Sequence, residues 1–310
     1  MRLYRMNETL KHGRERNRQS WGPGTKEQMR RQFLGACLFG LFAAGLLFGI
    51  FYGDKVIWRL GLEPRILDPL PIFMYHDVKA DGEEILGMAV SVSKLREDFT
   101  TLRDLNCTPV LPRDLVSGEP LPDRPVMITF DDGYLSNYLY LYPLLREFGF
   151  KALICPIVVA AEQTTDEFCN WKMYREMEAS GLVEVGSHSY DLHNPWSKGE
   201  FVKGQPNGVQ RRPGETDEAF QVRVLDDIQK SYDRLSEELG HPPVCFAYPF
   251  GAREPDTWEL VDSLFPVSLM TWEDHADLSK GTARMPRWTI DEDTPMSFYV
   301  KPDRPWLEKK

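Results

Sequence analysis

The 310-residue sequence has no CxxC pair, no internal repeat, no low-complexity tract and only six histidines. Its five cysteines are scattered, so neither a zinc ribbon nor a dense disulfide framework organises the chain. Cys107, Cys155, Cys169 and Cys245 can pair if the domain lies outside the cell, and the sequence leaves that open. Beyond the N-terminus, positive charge is outweighed by negative. The formal net charge is −10, although residues 1–31 are rich in Arg and Lys, so the remainder is more acidic than the total. That balance excludes nucleic acid as a partner for the bulk of the chain. A hydrophobic content of 42% and a charged content of 27% are those of a globular protein, long enough for one large domain or two ordinary ones.

There is a single long apolar run. Residues 1–32 form a basic tail broken by Gly22-Pro23-Gly24, and Phe33 to Tyr52 then continues without a charge. That length spans a bilayer as one helix. Arg30 and Arg31 precede it and only Lys55 and Arg59 follow closely, which places the N-terminus in the cytoplasm and the rest outside. A cleaved signal peptide would have a shorter apolar core and a small-residue cleavage site, and neither is evident. Leu34-Gly35-Ala36-Cys37 resembles a lipoprotein box but precedes most of the apolar core instead of following it. The expectation is a single-pass anchor at 33–52 in the cell membrane, a short stalk at 53–69 and an extracytoplasmic domain.

From Pro71 onward, short apolar runs alternate with helical patterns, the signature of a parallel α/β architecture. Ile72–His76, Val126–Phe130, Ala152–Val159, Leu182–Val185, Val244–Tyr248, Val267–Trp272 and Arg287–Ile290 read as strands. Ser93 is placed to cap a helix carrying Leu95, Phe99 and Leu102, and Asn137–Phe148 and Trp171–Ala179 read as two more. The most regular helical pattern, Phe220, Val224, Ile228, Tyr232, Leu235 and Leu239, stops at Gly240. A Gly-, Pro- and charge-rich loop (194–215) precedes it, and residues 292–310 read as an acidic, Pro-rich tail, leaving a domain at 70–291. Seven strands alternating with helices fit a barrel or a doubly wound sheet, and in both the sites sit at the C-terminal strand ends.

Three strand ends carry chemistry. Val126-Met127-Ile128-Thr129-Phe130 runs into Asp131-Asp132-Gly133, two adjacent carboxylates that repel each other unless a cation lies between them or one keeps its proton. A glycine there lets the backbone turn so that both acids face a pocket. His188 and His193, five residues apart just after a strand, can converge in a loop. Two imidazoles and a carboxylate hold a divalent ion and leave positions open, a donor set suited to Zn²⁺, with Co²⁺, Ni²⁺ or Mn²⁺ as alternatives. Tyr248-Pro249-Phe250-Gly251 closes a third strand.

Thr129-Phe130-Asp131-Asp132-Gly133, His188-Ser189 with His193, and Tyr248-Pro249-Phe250-Gly251, in this order, resemble the polysaccharide deacetylase (NodB homology) domain of carbohydrate esterase family four. Met74-Tyr75-His76-Asp77-Val78 and the segment from Trp171 to His188 are similar to further stretches of that family, over roughly residues 70–290. The resemblance implies a distorted, incomplete (β/α) barrel of about seven strands acting on N-acetylated polysaccharide. It implies Asp132, His188 and His193 as metal ligands, Asp131 as the general base towards water, and the backbone N–H of Phe250 as an oxyanion donor. The five-residue histidine spacing is similar to that of poly-N-acetylglucosamine deacetylases. Ala247 stands where the family carries an Arg that steadies the base, and Arg287 is placed to point into the barrel as a substitute partner or to meet the sugar. His76 and His275 are the candidates for proton donation, and Tyr248, Pro249 and Phe250 for the sugar site. The leading expectation is a metal-dependent N-deacetylase. An O-acetyl esterase of the same fold, and a carbohydrate-binding protein on a decayed esterase fold, are the alternatives.

Overall fold

The computed structural model describes residues 69–163, 165–193 and 208–300. Internal contacts divide the chain into Met1–Arg65 and Ile66–Lys310, and every described residue belongs to the second unit. The basic tail, the apolar run 33–52 and the stalk up to residue 68 lie outside the described residues, as does 194–207. No helix among the described residues is long and apolar enough to cross a membrane.

Seven of the strands among the described residues surround the core: β1 (Ile72–Tyr75), β2 (Pro125–Asp132), β3 (Ala152–Pro156), β4 (Val183–Val185), β5 (Cys245–Ala247), β6 (Val267–Leu269) and β7 (Trp288–Thr289). They pair in parallel in the order β7-β1-β2-β3-β4, with β5 and β6 forming a second parallel pair. Single parallel bridges join these sheets: Ser187 to Phe246 between β4 and β5, and Leu269 to Met285 between β6 and the approach to β7. The result is a ring distorted at two joints, in agreement with the α/β reading.

Alternation along β2 sorts its side chains between two apolar layers. Val126, Ile128 and Phe130 pack outward with Phe73, Tyr75, Phe99 and Leu145. Met127 faces inward with Ile72, Leu153, Cys155, Cys245, Val267 and Leu269. The outer layer is covered by α1 (Val92–Asp104), α2 (Tyr142–Phe148) and α3 (Trp171–Ala179). A fourth helix, α4 (Asp226–Leu239), continues from Asp217–Phe220 through a π turn at Gln221–Leu225 and ends at Gly240, whose φ of 80° only glycine adopts freely. The capping residue of α1 is Ser91, whose hydroxyl accepts from the Lys94 N–H, while Ser93 binds the Asp81 carboxylate.

Two boundaries differ from expectation. Pro69–Leu70 already pairs antiparallel with Ala276–Asp277, so the fold begins before residue 70. Residues 292–300 of the expected tail belong to the domain, while 301–310 lie outside the described residues: Met296–Tyr299 is helical, and Met296, Tyr299 and Val300 are buried. The Glu292 carboxylate accepts from the N–H and hydroxyl of Ser91 at 2.7 Å each. An acidic, Pro-rich composition hid three apolar side chains that seal the outer layer beside Phe73. All four cysteines among the described residues are buried and free.

Candidate active site

β2 extends through both aspartates, so the turn expected of Gly133 starts one residue earlier. Asp131 follows Met127 and Thr129 in facing inward and is almost fully buried. Continued alternation would send Asp132 outward, but its φ of 69° turns it back towards the mouth of the ring. That conformation costs a non-glycine residue on the order of 1–3 kcal/mol and is typical of sites where geometry serves function. Gly133 follows at φ 81°, and a Cβ there would strike the Tyr174 hydroxyl and lie 2.8 Å from the Pro156 Cβ.

The loop after β4 brings two imidazoles to Asp132. His188 Nε2 and His193 Nε2 each lie 3.5 Å from Asp132 Oδ1. Ligands about 2.1 Å from a tetrahedral ion stand about 3.4 Å apart, so this spacing fits one divalent cation. Asp132 Oδ1 is buried without a hydrogen-bond partner, a costly state for a carboxylate oxygen that a cation would relieve. His188 Nδ1–H donates to the Ala247 carbonyl at 2.8 Å, which leaves Nε2 as the lone-pair nitrogen facing Asp132. Burial lowers the His188 pKa to about 3 and that of His193 to about 4, so both imidazoles are in the neutral, ligating form at pH 7. Burial raises Asp132 to about 6; His76 opposes this and the Asp131 charge adds to it.

Asp131 has a different environment. Arg287, fully buried, donates from Nη1 to Asp131 Oδ1 at 2.8 Å and from Nη2 to Oδ2 at 2.6 Å. Its Nε donates to the Met270 carbonyl at 2.9 Å and Nη1 also to the Thr129 hydroxyl at 3.1 Å. Burial alone would raise the Asp131 pKa, but the guanidinium, with His188 and His76, holds it well below the usual carboxylate range. The two neighbouring acids are thus driven apart electrostatically, one fixed as an anion and the other poised near neutrality.

The other candidates separate. His76, at the end of β1, is buried with Nδ1 lacking a hydrogen-bond partner, and it lies close enough to act on both Asp131 and Asp132. Phe250 takes φ 58° and stacks on His193 with ring centroids 4.3 Å apart. It is 43% exposed, whereas Tyr248 and Pro249 are buried. Tyr248 packs edge-on against Phe246 in an apolar cluster, so its ring is core and does not line a sugar site. Arg287 is likewise removed from the sugar-binding set, because Asp131 occupies its fork and no surface remains. His275 accepts the Trp288 indole N–H at 3.0 Å, and Trp288 packs against the outer layer while Arg287 points inward. Adjacent residues of an extended segment face opposite ways, which ties His275 to the outer layer and away from Asp131. Thr129, which binds Arg287 and the Phe73 carbonyl, was missed as a site residue. Its inward alternation with Asp131 was the available signal.

Residues 118–264 match the family model described as polysaccharide deacetylase. The poly-beta-1,6-N-acetyl-D-glucosamine N-deacetylase of Escherichia coli (strain K12) is 28% identical over 200 residues, covering 57% of this chain and 30% of that protein. The enzyme of the same name from Staphylococcus aureus (strain NCTC 8325 / PS 47) is 26% identical over 140 residues, covering 44% and 43%. The chain therefore spans less than half the length of these curated relatives. IcaB from Ammonifex degensii superposes with a TM-score of 0.63 at 25% identity, over 76% of this chain and 97% of that one. A de-N-acetylase from Aggregatibacter actinomycetemcomitans shares the fold with a TM-score of 0.64 at 20% identity, over 75% and 100%.

Proposed function

From the match of residues 118–264 to the polysaccharide deacetylase model and from the site geometry, we propose that the chain is a metal-dependent hydrolase removing N-acetyl groups from an N-acetylglucosamine polymer. The observation that carries the proposal is the orphaned Asp132 Oδ1 facing two neutral imidazole nitrogens at 3.5 Å. Asp132, His188 and His193 would hold one divalent ion, with Zn²⁺ best suited to the donor set. Such an ion supplies Lewis acidity to the amide carbonyl and to water.

The remaining roles fall to the chain's own groups. Asp131, kept ionised by Arg287, accepts a proton from water. His76, with an unpaired ring nitrogen beside both acids, is placed to donate a proton to the leaving amine. The Phe250 backbone N–H is assigned to the developing oxyanion, and its exposed ring to the sugar beside His193. Arg287 steadies Asp131 where Ala247 offers nothing, which argues against a decayed, purely carbohydrate-binding fold. The polymer named for the relatives, poly-β-1,6-N-acetyl-D-glucosamine, is the proposed substrate. The apolar run 33–52 behind Arg30 and Arg31 supports attachment to the cell membrane with the domain outside.

Full-length protein in detergent, loaded with Zn²⁺, is expected to release acetate from β-1,6-linked N-acetylglucosamine oligomers and to stop after chelation. Acetate release from O-acetylated xylan alone would turn the reading to an esterase. Turnover that survives complete metal removal would refute the metal-dependent reading.

A further inference from the structure

The loop that spaces the two histidines is built differently from the turns around it. Four residues separate His188 from His193, and every one of their backbone N–H groups is taken by a side-chain oxygen. Ser189 N–H donates to the Ser187 hydroxyl at 3.1 Å, and Leu192 N–H to the Ser189 hydroxyl at 3.0 Å. The two between them, Tyr190 and Asp191, donate to the two oxygens of one carboxylate, Asp227 on α4, at 2.9 and 3.0 Å.

The same face of α4 meets this loop at three more points. Ser231 gives its hydroxyl proton to the Ile228 carbonyl, so it accepts from the Ser187 hydroxyl at 2.8 Å. Lys230 Nζ lies 3.5 Å from the Tyr190 ring centroid. Arg234 holds Glu162, which accepts from the Tyr190 hydroxyl at 2.7 Å. Positions 227, 230, 231 and 234 form one stripe of a helix. The π turn just before α4 inserts one residue, rotating α4 by about 100° relative to an unbroken helix. That rotation sets the phase in which Asp227 faces the loop.

We propose that Asp227 is a positioning residue for the metal site, clamping the Tyr190 and Asp191 amides so that the five-residue histidine spacing converges on Asp132. The inference rests on the metal-site reading above and concerns a side chain that touches neither ion nor substrate. Ser189, beside His188, sits at φ 69°, a conformation that the surrounding bonds must hold. Without Asp227, two amides lose their acceptor and the arc carrying His193 relaxes.

The test is Zn²⁺ affinity of the full-length protein, measured by competition with a chromophoric chelator, for wild type, Asp227→Ala, Asp227→Asn and the exposed neighbour Asp226→Asn. Supporting bonds of this kind change metal affinity by about 10–100-fold, and a loss of that size is expected for both Asp227 variants. Asp226→Asn should bind as wild type does. Metal-titrated activity should show a raised half-saturating Zn²⁺ concentration while turnover at saturation recovers, a split that general loss of stability does not produce. Should Asp227→Ala fail to fold, the near-isosteric Asn variant decides, with its metal-free melting temperature as the control. Affinity within threefold of wild type in a folded Asp227 variant overturns the proposal. Wild type that binds no Zn²⁺ overturns the metal-site reading instead.

Discussion

Replacing Arg287 with Met takes away four hydrogen bonds and the guanidinium bound to Asp131 in one step. Both partners are essentially fully buried, so solvent cannot replace what is lost. Removing one member of a buried pair costs roughly 3–5 kcal/mol, chiefly because the other charge stays behind uncompensated. For a domain of this size that lowers the melting temperature by about 6–20 °C. The cost carries a pH signature. In wild type the Asp131 pKa is depressed, so its contribution is present above the unfolded value of about 4 and is lost as pH falls through the folded value. In Arg287→Met, burial acts against a charge that has lost its main partner, and the folded pKa rises above the unfolded one. The variant is then most handicapped at neutral pH and regains ground on acidification. Urea unfolding of chelator-treated protein at pH 7, 5.5 and 4 should show the gap to wild type narrowing stepwise. Arg287→Lys, which keeps the charge but cannot serve both carboxylate oxygens in a fork, should fall between. A gap below about 1 kcal/mol, or one that is equal at pH 7 and pH 4, would refute the assignment of Arg287 as the anchor of Asp131.

Asp132→Ala is expected to abolish Zn²⁺ binding, while Asp131→Asn should keep the metal and lose most turnover; loss of metal in both would erase the division between the two acids. Phe250→Ala should cost about 0.5–1.5 kcal/mol of stability and weaken Zn²⁺ binding through the loss of its stack on His193, with unchanged metal affinity arguing that the stack is incidental. Gly133→Ala should destabilise by more than about 1 kcal/mol, because its φ of 81° and the nearby Pro156 and Tyr174 leave a methyl no room, and an unaltered melting temperature would show slack in that turn.

The strand ends were legible because they combine a short-range apolar pattern with rare residue types. Asp131, Asp132, His188 and His193 stand at the ends of β-branched or apolar runs, and the fold gathers the last three into one cluster. Arg287 was legible as a candidate partner for the base only through the Arg that Ala247 replaces; that it reaches Asp131, 156 positions away, is a property of ring closure which no local pattern encodes. Tyr248 misled because an aromatic in a strand-end loop looks the same in sequence whether it lines a cleft or fills a core. Asp227 was illegible for another reason. An acid at the edge of a helix's apolar face looks the same in sequence whether it is solvated or accepts from a distant loop, and the π turn that sets its phase leaves no compositional trace. The expected tail failed on composition, since three buried apolar side chains are outvoted by the acids and prolines around them.

The two single-bridge joints of the ring have a bearing on how the site comes into being. Each lies within two residues of a site side chain: Ser187 beside His188, and Met285 shortly before Arg287. β2, in contrast, is eight residues long and flanked by ladders on both sides. Side chains reach across where the backbone ladder thins, for Arg287 fastens the approach to β7 onto β2 and Asp132 faces the loop after β4. Catalytic competence would then be the last event of assembly, gained when the bracelet is buckled and surrendered first when it loosens. Amide hydrogen exchange should report this directly, with the Ser187 and Met285 amides trading protons ahead of those of β2 in metal-free protein and slowing together when Zn²⁺ is added.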